Sequence, residues 1–96
     1  MKTTSPHLIG NSIDAVLRQL GLGSTLLRYK ILELWPVVVG EQIARVTVAE
    51  RMDGNKLIVR VSRATWRNEL VFLKKELMAK LNAAVNQEIV NDIIFR

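Results

Sequence analysis

The run from Lys56 to Leu81 changes its hydrophobic period part-way along. Leu57, Val59 and Val61 alternate with Ile58 and Arg60, the period of two that marks a strand. After Ser62 the period becomes 3.6: Trp66, Leu70, Leu73, Leu77, Leu81 and Ala84 recur three and four residues apart, the spacing of a buried helix face. A strand therefore runs almost directly into a long helix. Ser62 is placed to cap that helix, because its hydroxyl can accept a backbone N–H that the first turn leaves unpaired.

The remaining elements follow from the same patterning. Met1 to His7 lacks periodicity and reads as a mobile arm, so the expected division is an arm over residues 1–8 and one folded unit over residues 9–96. A first helix is predicted from Asn11 or Ser12 to Leu20, with Ile13, Val16, Leu17 and Leu20 inward and Gly21 as its C-terminal stop. Ser24 is a second N-cap candidate, followed by Leu27, Ile31 and Leu34 as the stripe of a second helix. Pro36 interrupts that helix, and Trp35-Pro36 reads as a kink or restart, with helical structure continuing to Ile43 and Ala44 and Trp35 as a core anchor. Val46 and Val48, alternating with Thr47 and Ala49, begin a strand that ends near Met52. Asp53-Gly54 is a hairpin signal, since both residues accept positive φ, and Asn55 extends the loop before the Leu57 strand returns antiparallel. Residues 85–90 lose periodicity, and Ile93, Ile94 and Phe95 form a short last strand. The predicted fold is α+β in the order α-α(kinked)-β-β-α-β, a three-stranded sheet with helices packed on one face.

The outer rows of the long helix are less easily assigned to the core. Arg67, Val71, Lys74 and Met78 form the row beside the stripe, while Phe72 projects well away from it among Asn68, Lys75 and Ala79. Two readings stand: a second helix or the tail covers Phe72, or Phe72 is offered to a partner.

Composition narrows the function. With 49% hydrophobic and 24% charged residues the chain is ordinary globular material, and it holds no apolar run near the ~20 residues that cross a bilayer. The N-terminus has no signal-peptide core, so a cytoplasmic, nucleoid-associated protein is expected, and the absence of cysteine excludes disulfides and thiolate metal sites. The net charge of +5 favours polyanionic partners. The excess lies in residues 1–30, with four cations against Asp14, and in residues 61–96, with six cations against four anions.

Catalytic signatures are missing. The one histidine, His7, can build neither a metal site nor a triad, and neither glycine-rich phosphate-loop motif is present. Glu69 and Glu76 lie two turns apart, but Glu76 precedes Lys80 by four residues, the spacing of a surface ion pair. No enzyme activity, cofactor or metal is expected. The basic residues carry more weight. Arg60, Arg63, Arg67, Lys74 and Lys75 could track a phosphate backbone, with Arg28 and Lys30 as extensions and Phe72 or a tryptophan as a stacking face. The plainer alternative is a solvated rim whose long stems cover the edges of the core.

Leu34-Trp35-Pro36 followed by Val39-Gly40, the segment Trp66-Arg67-Asn68-Glu69-Leu70, Leu81-Asn82, and the ending Asp92-Ile93-Ile94-Phe95-Arg96 together resemble the DciA family of bacterial replicative-helicase operators. The likeness covers Leu34 to Arg96 closely and the N-terminal helices more loosely. It implies a fold similar to the K-homology nucleic-acid-binding domain, contact with the replicative helicase, its recruitment or loading onto single-stranded or forked DNA, and affinity for DNA. Two departures qualify it. Many relatives carry a further tail implicated in helicase contact, whereas this sequence stops at Arg96, so contact is expected from the folded part or the N-terminal arm. The Gly-x-x-Gly loop of K-homology domains is absent, since Gly21-Leu22-Gly23-Ser24 has the wrong spacing. Two alternatives accompany the DNA reading: a protein-interaction adaptor docking through Phe72, Val71 and Met78, and an RNA-binding protein.

Overall fold

Six elements fill the described part of the chain, residues 23–96 of a computed structural model: α1 (Gly23–Val39), α2 (Glu41–Ala44), β1 (Thr47–Asp53), β2 (Lys56–Val61), α3 (Ala64–Ala84) and β3 (Asp92–Phe95). The element order is the expected one from the second helix onwards. The arm and the first helix, with Gly21, lie outside the described residues.

The sheet has the order β1-β2-β3, with β2 antiparallel to β1 and parallel to β3. Leu57, Val59 and Val61 of β2 point to one face, where they meet Ile93 of β3, Leu70, Leu77 and Leu81 of α3, and Ile31 and Trp35 of α1. Burying that face of the central strand on both helices is the main apolar contribution to the fold. α1 lies over β1 and α3 over β2 and β3.

Several local expectations are refined by tertiary contacts. α1 continues through Pro36 and stops at Gly40, whose φ of 90° is open to glycine at little cost, and the short α2 follows. Ser24, expected as a cap, is the second residue of α1. Ser62 does not cap α3: its N–H and Oγ both donate to Val46 O (2.9 and 3.3 Å), extending the β1–β2 ladder, and Arg63 takes the cap position with extended backbone and no side-chain cap bond. In the hairpin Asp53 pairs with Lys56, so the loop is Gly54-Asn55 and only Gly54 has positive φ (64°). That is the pattern of a II′ turn, in which the first central residue alone needs glycine. Ala84, the last member of the predicted stripe, is exposed, because the chain turns at Asn86 (φ 56°) and brings Val85 inward instead.

Two polar side chains organise what periodicity left unread. In β1 the buried residue is Thr47, while Val48 is exposed. Trp35 Nε1 donates to Thr47 Oγ1 (2.9 Å), and that hydroxyl donates to Ile43 O (2.8 Å), so a tryptophan, a strand and α2 share one satisfied polar node. After α3, Asn82 accepts from Ile89 N (3.0 Å) and Val90 N (2.9 Å) on Oδ1 and donates from Nδ2 to Val90 O (3.0 Å). This holds Ile89 and Val90 in the core although the segment has no secondary structure of its own.

Candidate nucleic-acid interface

The packing of Leu70, Leu77 and Leu81 in the core sets how α3 is rotated over the sheet, and the ion pair between Lys74 Nζ and Asp92 Oδ1 (3.0 Å) marks the side that faces β3. At 3.6 residues per turn, Arg67, Val71 and Met78 lie with Lys74 on the side of α3 turned towards β3, and Lys75 stands about 100° further round, towards Phe72. Trp66, Glu69 and Leu73 lie on the side turned towards α1 and α2. The two sides of one helix thus carry opposite charge.

The proposed phosphate contacts divide accordingly. Arg63, Arg67 and Lys75 are exposed and make no ion pair among the described residues, and about 12 Å of helix separates Arg67 from Lys75. Lys74 is half-buried and committed to Asp92, and this hydrogen bond holds the Asp92 carboxyl below its ordinary value against a smaller opposing effect of burial. Arg60 leaves the opposite face of the sheet, where it bonds Glu50 Oε2 at 3.4 Å. The other oxygen of Glu50 is buried with no hydrogen-bond partner, so Arg60 also neutralises a partly desolvated carboxylate at the β-bulge between Ala49 and Arg51. Arg28 is half-buried and Lys30 exposed on α1, which lies over β1, the far side of α3 from the Arg67–Lys75 flank. The structure does not bring those two to the same surface as Arg63, Arg67 and Lys75.

Sheet pairing adds residues that local sequence reading missed. Arg96 N donates to Val59 O (2.9 Å) and Val61 N to Arg96 O (2.7 Å), which sets Arg96 beside Arg60 on the neighbouring strand. Arg51 pairs with Ile58, and Ile58 with Ile94, on that same outer face. Ile58 is only 3% exposed there, while Val48 and Ile94 are exposed beside it. Strand parity alone groups Ile58 with Arg60 and Ile94 with Arg96; only the parallel pairing of β3 with β2 joins the two sets. Phe72 is 86% exposed on the crest of α3, with Val71 also exposed and Met78 half-buried. No described residue covers Phe72.

The family model for "Dna[CI] antecedent, DciA" matches residues 8–95. The chain belongs to the DciA family. Among curated relatives, it is 29% identical over 79 residues to a UPF0232 protein of Streptomyces coelicolor, covering 80% of this chain and 42% of the relative. It is 27% identical over 88 residues to a UPF0232 protein of Mycolicibacterium paratuberculosis, covering 92% and 49%. A third, from Mycobacterium tuberculosis H37Rv, is 25% identical over 88 residues, covering 92% and 47%. The chain thus spans about half the length, or less, of the DciA relatives it matches. Several residues that carried the resemblance have structural duties: Trp35 binds Thr47, Gly40 ends α1, Asn82 pins residues 89 and 90, and Asp92 pairs with Lys74.

Among the described residues no group of three or more His, Asp or Glu side chains is placed to hold a metal, and no helix is long and apolar enough to cross a membrane.

Proposed function

We propose that this DciA domain is a non-enzymatic replication accessory module that binds single-stranded or forked DNA and helps recruit or load the replicative helicase. The observation that carries the DNA part is the set of exposed cations at the start and along the outer side of α3, Arg63, Arg67 and Lys75, which make no ion pair among the described residues; Arg96 and Arg60, the latter paired with Glu50, add positive charge on the outer face of the sheet. Such a set displaces condensed counterions from a phosphate backbone, and Phe72, open to solvent on the same helix, gives a base a face to stack on. Lys74 contributes less than its position suggests, because Asp92 already holds it.

The test is fluorescence anisotropy of a labelled single-stranded oligomer across a salt series, with an equal-length duplex and an RNA of the same sequence alongside. Replacing Arg63, Arg67 and Lys75 together by Ala lowers the log–log salt slope by about 2, at ~0.7 per lost contact on a single strand. An unchanged slope removes this face from the reading, and preferential binding of the RNA oligomer replaces DNA by RNA as its ligand.

Phe72 supports a second reading, a protein-docking patch with Val71 and Met78. Since Phe72 buries almost nothing, Phe72→Ala changes stability by no more than about 0.5 kcal/mol. Under the adaptor reading it abolishes co-purification with the helicase while DNA anisotropy stays as it was; under the stacking reading, DNA affinity falls.

A further inference from the structure

On the side of α3 away from the cations lies an open groove of about 620 Å³, lined by Val39, Ile43, Trp66 and Leu73 on its floor and by Glu41 and Glu69 at its rim. The floor residues are half-buried, and they adjoin the core without being closed over by it. Within a chain of net charge +5, this trough is locally negative. Glu69 has no ion-pair partner among the described residues, and Glu41 is held only by Arg45 (3.0 Å), an exposed pair of the kind that contributes little and exchanges readily. The C-terminal carbonyls of α1 at Val39 add about half a negative charge, and the first turn of α3 at Thr65 and Trp66 adds about half a positive one, so these cancel and the carboxylates decide the sign. Phosphate is repelled here. The half-exposed indole of Trp66 instead suits a cation laid against its face.

We infer that this groove docks a peptide segment of a protein partner that presents a lysine or arginine beside an aliphatic anchor: the anchor fills the Val39–Ile43–Leu73 floor while the cation meets Glu69 and Trp66. The inference goes beyond the nucleic-acid reading and does not depend on it, because the two surfaces lie on opposite sides of α3. One helix then presents an acidic trough to a basic protein segment and a basic flank to a polyanion.

The probe is a short fluorescein-labelled peptide alternating lysine and leucine, with a glutamate–leucine peptide as control. Long-range electrostatics oppose binding of a polycation to a protein of charge +5, so binding of the first peptide reports a local site. The expected result is saturable binding of the lysine peptide, a shift of the Trp66 indole N–H signal in a proton–nitrogen spectrum, and no shift of the Trp35 indole, which is buried against Thr47. Glu69→Lys weakens binding by at least about tenfold, since it sets like charges together, and Glu69→Gln weakens it less. Single-stranded DNA binding to Glu69→Lys is not weakened, which separates this site from the proposed DNA face. Equal binding of the glutamate peptide, an unmoved Trp66 signal, or unchanged affinity in Glu69→Lys overturns the inference. So does a concentration-dependent dimer in sedimentation that Glu69→Lys dissolves, which would seat a second copy in the groove.

Discussion

Asn82 carries a concentrated structural duty, because one amide accepts from two N–H groups and donates to one carbonyl of residues 89–90, where Ile89 N has a second acceptor in Gln87 O (3.1 Å) but Asn82 alone serves Val90 among the described residues. Val90 beside it is 1% exposed, so water cannot replace those bonds. Asn82→Ala is therefore expected to cost about 2–4 kcal/mol in urea denaturation, at about 1–3 kcal/mol for each of the two Val90 groups, N–H and C=O, left unsatisfied, softened by relaxation. Local propensity could not announce this, since an Asn near a helix C-terminus reads as an ordinary solvated side chain. The Trp35–Thr47 bond has the same character. Trp35 was legible as a core anchor from its apolar neighbours, but that Thr47, and not a flanking valine, would be the buried residue of β1 depends on the indole N–H needing an acceptor where the strand passes it. Arg60 shows the converse. It reads as a free cation along the chain, and in the fold it is tied to Glu50.

At the scale of elements, α3 separates folding information from binding information. Leu70, Leu77 and Leu81 set its inward face, and the rest of its surface is left with two flanks of opposite charge. Its N-terminus is uncapped by any side chain, because Ser62 is held by the strand ladder and Arg63 occupies the cap position in extended conformation. Arg63→Asp supplies a cap and a favourable charge at the positive end of the helix, and is expected to stabilise the domain by about 0.5–1.5 kcal/mol. Under the proposed function the same change weakens single-strand binding. A rise in thermal midpoint with a fall in DNA affinity, measured on the one variant, distinguishes a binding arginine from a structural one. The hairpin and the strand–helix junction were readable because Gly54 and the change of hydrophobic period are local signals. The bulge at Glu50, which resets which side chains of β1 face outwards, is not a local signal, and it is what turns Arg51 onto the face that carries Arg60.

Over the whole molecule, the cations sort into surfaces that sequence distance does not predict. Arg96 lies beside Arg60 although 35 residues separate them in number, whereas Lys30, on α1 over β1, lies on the far side of α3 from Lys75. Arg96→Ala is accordingly expected to lower single-strand affinity and salt slope, the slope by about 0.7, while Lys30→Ala leaves both unchanged. Anisotropy at two salt concentrations reads the difference. The amino-acid sequence by itself determined the element order, the pairing of β1 with β2 through a tight turn, the inward faces of β2 and α3, and the family, because each rests on periodicity or on a motif within a short span of chain. Only the tertiary structure decided that β3 runs parallel beside β2, that Asp92 takes Lys74, that Phe72 stands open, and that an acidic groove faces away from the cationic flank. Those features depend on the rotation of α3 about its axis and on which strand edge the last segment reaches. Both are settled by packing and hydrogen-bond satisfaction between residues far apart in the chain.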